Sequence, residues 1–219
     1  MNRLLFEKTG KAIYISHLDT MAMFPRVFLR AGLHIKFTQG MSPHAYVSVA
    51  LPLSVGMASH CEILDFTLEE ENVPLESLPD RLNPYFPAGI RVLSAYDSDR
   101  KIKELRNLQC NVRLEYDNGA EEDVRDTLKA LFGKSEILVE KRSKKGMTEV
   151  DIKPMISTMG VSRISEQELE LRGIIAAQNP SLNPQLLVNA ISRYAPECTP
   201  DFSYATRMEV YDEEGRIFR

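Results

Sequence analysis

Residues Tyr14 to Gly56 read YISHLDTMAMFPRVFLRAGLHIKFTQGMSPHAYVSVALPLSVG, and this stretch decides the fold. Its first part predicts a helix over about 17–32. Ser16 is a good N-cap residue, and Asp19 three positions on completes a variant of the capping box. Gly32 takes the C′ position that ends many helices. Between these ends Leu18, Met21, Ala22, Pro25, Phe28 and Leu29 share one broad apolar face at helical spacing. Pro25 is out of place in a helix interior. It removes a hydrogen bond at a cost of about 3 kcal/mol and predicts a kink. After Gly32, residues 34–38 and 45–51 predict strands, joined by the loop Gln39-Gly40-Met41-Ser42-Pro43-His44.

The pattern extends in both directions. Residues 2–7 and 11–15 predict strands around a Thr9-Gly10 turn, and residues 61–69 another. A helix over 75–84 and a strand over 89–96 complete a first cycle. The polar run DSDRKIKELRN over 97–107 predicts a linker. A second cycle follows: strand 109–116, helix 120–132, strands at 136–142, 147–153, 161–165 and 168–175, a helix over 184–194 opened by Asn183-Pro184, and a strand over 204–211. Both halves read β-α-β-β-α-β with extra strands. The expected fold is α+β, two tandem ferredoxin-like halves with antiparallel sheets. The expected domains are a basic one over 1–97, carrying the candidate site, and an acidic one over 98–219.

Composition narrows the function. With 43% hydrophobic and 26% charged residues the chain reads as a globular protein. No apolar run approaches a membrane span, and the N-terminus lacks a signal-peptide pattern. Cys61, Cys110 and Cys198 are far apart and odd in number, so no disulfide framework or zinc ribbon is predicted and a cytoplasmic location is expected. The sequence holds no phosphate-binding P-loop, dinucleotide fingerprint, zinc-protease helix or nucleophile elbow. It also lacks a close cysteine trio for an iron–sulfur cluster. No cofactor and no metal are expected: His60, Cys61 and Glu62 are metal-capable types, but neighbours on a strand face opposite ways.

Charge is uneven. The chain carries −4 overall, yet residues 1–60 hold six Lys/Arg against Glu7 and Asp19, and all four histidines. Such asymmetry points to an anionic partner at that end. Within the first helix Asp19, Arg26 and Arg30 fall on one polar stripe, either a solvated face or a set of phosphate contacts. In the loop, Gly40 permits unusual backbone geometry, and Gln39, Ser42, Pro43 and His44 surround amides able to hold an anion. His17 and His44 are the weak candidates for acid–base chemistry, although a helix N-terminus disfavours a charged His17. The run Lys141-Arg142-Ser143-Lys144-Lys145-Gly146 reads as a solvated hairpin tip or a phosphate-contacting finger.

Tyr14-Ile-Ser-His-Leu-Asp19, the Arg26…Arg30-Ala-Gly32 helix end, Gln39–His44, Ala50-Leu-Pro-Leu-Ser-Val-Gly56 and Glu62 together resemble the radical-SAM-associated (radical SAM-linked) protein family, a domain of unknown function. Three positions depart from its pattern: Met41 stands for the usual aromatic, Ser42 for Asn and Ala45 for Pro. The resemblance implies an accessory, non-catalytic subunit of a radical SAM protein with a B12-binding domain, acting in an RNA context, with tRNA or another RNA as the bound species. The fold also resembles, by analogy alone, the RAMP proteins that bind or cut CRISPR RNA. Two other readings stand beside it: a metal-independent ribonuclease using His17 or His44, and a pure protein–protein adaptor.

Overall fold

The computed structural model describes residues 1–143 and 146–219; Lys144 and Lys145 of the predicted basic tip lie outside the described residues. The architecture is mixed α+β, with mostly antiparallel strands and four α-helices. The chain divides into two compact units, Met1–Glu104 together with Arg219, and Leu105–Phe218.

In the first unit β1 (Asn2–Lys8) and β3 (Ala58–Phe66) pair antiparallel, β4 (Ile90–Asp97) pairs β1 on its other edge, and the short β2 (Val47–Val49) pairs β3. The spatial order is therefore β4-β1-β3-β2. Helix α1 (His17–Arg30) and the short α2 (Leu78–Leu82) connect these strands. Residues 11–15, predicted as strand, instead belong to a 3-10 helix over Gly10–Tyr14. Gly10 has φ 53, which turns the chain out of the sheet just after β1. The Thr9 amide donates to the Gly89 carbonyl at 2.7 Å, fixing that turn against the start of β4. The predicted strand at 34–38 is reduced to isolated bridges, Ile35 with Leu68 and Phe37 with Ala45. The long predicted helix over 75–84 is α2 with a 3-10 turn on each side, because Pro74, Pro79 and Pro84 interrupt regular hydrogen bonding.

Helix α1 begins and ends where its caps predict. The Asp19 amide donates to Ser16 Oγ at 3.1 Å, and Ser16 Oγ donates to Asp19 Oδ2 at 2.7 Å. Gly32 has φ 70, the left-handed value expected at C′. The helix runs on through Pro25. Its buried face differs from the predicted one: Thr20, Phe24, Val27 and Phe28 are buried, whereas Leu18 is 78% and Leu29 62% exposed. The helix offers two apolar arcs, and the sheet takes the aromatic one. Phe24 packs edge-on to Phe6 and Phe86 at 5.1 and 5.3 Å, and Phe28 lies 5.1 Å from Phe66. Those rings bury more area and add edge-to-face attraction.

The second unit repeats the scheme. Strands β5 (Asn107–Glu115), β8 (Ile156–Arg163), β9 (Glu168–Ala176) and β10 (Phe202–Tyr211) lie in the order β10-β5-β9-β8, all antiparallel. Counted within each unit, both sheets have the order fourth, first, third, second. Helices α3 (Val124–Phe132) and α4 (Gln185–Tyr194) cover the second sheet through Leu128, Leu131 and Phe132, and through Leu187, Ala190 and Ile191. A separate hairpin, β6 (Leu138–Ser143) and β7 (Gly146–Asp151), is inserted before β8. Pro184 is the N-cap of α4, one position later than the sequence predicts, and Asn183 Oδ1 accepts from the Gln185 amide at 3.0 Å.

Candidate surface of the first unit

The basic residues of the first sixty divide into two groups. Arg3 and Lys8 are internal, 1% and 2% exposed. Arg3 on β1 faces Asp65 across the strand pair; its Nε reaches Asp65 Oδ1 at 2.6 Å and its Nη2 reaches Oδ2 at 3.2 Å. Lys8 Nζ donates to the Ile15 carbonyl just before α1. Burial lowers the Lys8 pKa, and the Glu62 carboxylate opposes that shift. Lys11, Arg26, Arg30 and Lys36 are exposed, and among the described residues their side chains make no hydrogen bond or ion pair. The expected basic domain over 1–97 is therefore basic only locally. Residues 61–104 add ten acidic side chains against five basic ones, so the excess positive charge is that of Lys11, α1 and the segment after it.

Arg26 and Arg30 stand on the solvent side of α1 with Asp19, as the helical spacing predicts, and Asp19 is occupied with the Ser16 cap. Beside them lies a shallow groove of about 240 Å³, lined by Pro25, Arg26 and Leu29 from the helix and by His34, Ile35 and Phe37 from the following segment. Glu69 also lines it, and its amide donates to the His34 carbonyl at 2.8 Å. His34 Nδ1 contacts Glu70 Oε1, and that hydrogen bond lowers the Glu70 pKa.

The loop is exposed from Gln39 to His44. Its ends are tied by a two-rung ladder. The Thr38 amide donates to the His44 carbonyl at 2.8 Å, and the Tyr46 amide donates to the Lys36 carbonyl at 2.8 Å. The His44 amide donates to Thr38 Oγ1 at 2.9 Å. Gly40 has φ 132, backbone that other residues rarely adopt. Met41, Phe37 and Tyr46 are exposed, and Phe37 lines the groove with Arg26.

His17 opens α1 and is half-buried, while His44 is exposed in the loop; among the described residues neither ring makes a hydrogen bond. Among the described residues no general acid–base pair is built around either. His60 pairs with Glu7 at 3.1 Å on the surface, whereas Glu62 is buried. Among the described residues no group of three or more His, Cys, Asp and Glu side chains is placed to hold a metal ion.

Arg26, Arg30 and Lys36 thus give the α+β scaffold an exposed, locally basic face. The chain belongs to a family of uncharacterised proteins conserved in bacteria, DUF2344, whose model matches residues 2–184. No curated protein matches it in sequence. Among solved structures, a Cbf5-Nop10-Gar1 complex contains a chain similar to it at 10% identity and TM-score 0.52, covering 97% of this chain. An archaeal box H/ACA sRNP Nop10-Cbf5 complex matches at 7% identity and TM-score 0.48, over 94% of this chain and 46% of that one. An H/ACA RNP bound to a substrate RNA containing 2'-deoxyuridine matches at 7% identity and TM-score 0.49, over 94% and 46%. The chain spans about half the length of the first of these, 50% of that chain. At such identities the likeness concerns the fold alone. Among the described residues no helix is long and apolar enough to cross a membrane.

Proposed function

We propose that this protein is a non-catalytic binding module that holds RNA on the exposed face of its first unit and presents it to a partner enzyme. In this reading each unit is a ferredoxin-like split βαβ sandwich, since both sheets run fourth, first, third, second. One observation carries the functional reading. Arg26, Arg30 and Lys36 are exposed without an ion partner among the described residues; the exposed ring of Phe37 lines one groove with Arg26, and exposed Tyr46 is tied through its backbone to Lys36. Cationic side chains beside aromatic faces suit a single-stranded or looped nucleic acid, which needs phosphate contacts and stacking surfaces together. The loop Gln39–His44 supplies amides at the same surface. The net charge of −4 restricts this affinity to a local site. The enzyme served is a radical SAM protein with a B12-binding domain; the support is the resemblance of Tyr14–Asp19, Gln39–His44 and Ala50–Gly56 to the proteins associated with that class.

The test is fluorescence anisotropy of a labelled tRNA and a labelled single-stranded RNA over a salt series. Removing two phosphate contacts in R26A/R30A flattens the logarithmic salt slope by about 1.4 for a single strand. A double variant that binds with unchanged affinity and slope overturns the proposal.

A further inference from the structure

Helix α1 leaves a second apolar arc uncovered. Leu18, Ala22, Pro25 and Leu29 follow one another at spacings of four, three and four, the spacing of a helix–helix seam. Leu18 and Leu29 are 78% and 62% exposed and Ala22 is exposed, whereas Phe24, Val27 and Phe28 on the opposite side are in the core. A row of this kind at the surface of a helix marks an interaction face. The question is what covers it.

Charge on the flank identifies the occupant. Leu18 and Leu29 are eleven positions apart, and so are Asp19 and Arg30. Laid antiparallel on a second copy about the midpoint of Ala22 and Pro25, Leu18 meets Leu29 of the other copy. A two-fold axis keeps like flanks on the same side of such a seam. Asp19 of each copy therefore comes on the same flank as Arg30 of the other, staggered by two residues or about 3 Å along the helix, which the long arginine side chain spans, a self-complementary pattern of an isologous dimer. Small Ala22 and compact Pro25 at the centre let the backbones approach. The groove between Leu29, Ile35 and Phe37 is placed to receive the partner's Leu18. Asp19 uses Oδ2 for Ser16, leaving Oδ1 for a second contact, and Arg30 makes no ion pair among the described residues. A parallel arrangement would instead set Asp19 beside Asp19 and Arg30 beside Arg30.

We infer that the uncovered face of α1 is a homodimer seam, closed by two reciprocal Asp19–Arg30 pairs around a Leu18–Leu29 core. A helix of fourteen residues is about 21 Å long, so the seam is small and the dimer weak and concentration-dependent. The inference does not rest on RNA binding; Lys36 and the Gln39–His44 loop stay outside the paired positions, and Arg26 borders the groove that takes the partner's Leu18.

Sedimentation velocity of the full chain, from about 1 µM to about 500 µM, measures the association over the range expected of a small interface. The wild type shifts from monomer to dimer across that range. L18S/L29S, both at exposed positions, weakens association at least about tenfold while far-UV circular dichroism is unchanged. D19R and R30D each weaken it by about tenfold, and the exchanged pair D19R/R30D recovers to within about threefold of wild type. A chain monomeric throughout, a dimer indifferent to L18S/L29S, or an exchanged pair no better than its single variants overturns the seam. Leu18 lies outside its own chain's groove and L18S changes no charge, so RNA affinity measured on L18S stays as in wild type if only the seam fails, whereas K36A reports on the RNA reading alone.

Discussion

Arg3 reads in the sequence as part of a basic N-terminus, yet the structure makes it a buried tie. Its guanidinium makes two contacts with Asp65, donates from Nη1 to Ser98 Oγ at 2.9 Å, and donates from Nη2 to the Arg100 carbonyl at 3.0 Å. The two charged side chains are 1% and 11% exposed. Arg3→Met leaves the Asp65 carboxylate in a poorly solvated place without its cation. The expected cost is about 3–5 kcal/mol, against about 0–1 kcal/mol for an exposed pair. Asp65→Leu leaves the guanidinium in the same condition and costs a similar amount. Changing both removes the uncompensated charge and restores most of the loss, since an apolar pair of similar volume is often as stable. Urea unfolding followed by far-UV circular dichroism and tyrosine fluorescence reads this directly. With a slope of about 1.5–2 kcal/mol per molar, each single variant lowers the midpoint of the first unit's transition by about 2 M. A loss under about 1 kcal/mol in either single variant refutes the argument. A double variant that loses the sum of the two single losses refutes it equally, since the coupling energy of the cycle would then vanish.

Two further expectations follow from close contacts and burial. Gly89 has φ 92, and a Cβ there would lie 2.2 Å from the Thr9 carbonyl oxygen; Gly89→Ala therefore adds backbone strain on the order of 1–3 kcal/mol to that clash, measured as a lowered melting temperature, and a neutral outcome would show the turn at Thr9 to be loose. All three cysteines are buried; burial pushes the Cys110 thiol up to about 12 and raises that of Cys198. At pH 8 the native protein should thus react with a thiol reagent only after guanidinium is added, and prompt labelling of a native cysteine would contradict that burial.

Much of the chain's element order is legible in its periodicity, because most strands and helices carry their own apolar spacing. The exceptions have local causes. Residues 11–15 alternate like a strand, but Gly10 turns the backbone before they can pair. Residues 34–38 look like a strand and make only bridges, because β2 and β3 take the regular pairing. The buried side of α1 could not be chosen from spacing, since the arc of Leu18, Ala22, Pro25 and Leu29 is as apolar as that of Phe24, Val27 and Phe28. Only the position of Phe6, Phe66 and Phe86 decides between them. Of the proposed site, Asp19, Arg26, Arg30 and the exposed Gln39–His44 loop could be read from residue type and helical angle. Arg3 and Lys8 could not be separated from the surface bases, because their partners Asp65 and Ile15 become neighbours only through folding. Phe37 and Tyr46 emerge as surface rings only from the fold, since Phe37 shares strand parity with buried Ile35 and is nonetheless exposed.

The segment from Ile35 to Val47 is anchored by isolated bridges and a short ladder, with most of its side chains facing solvent. Few hydrogen bonds need to break for it to open, so its local opening free energy lies far below that of the sheet. Proteases should therefore cut first around Met41, leaving the rest folded. A ligand that grips this loop must hold it closed, and its presence would be visible as a delayed first cut.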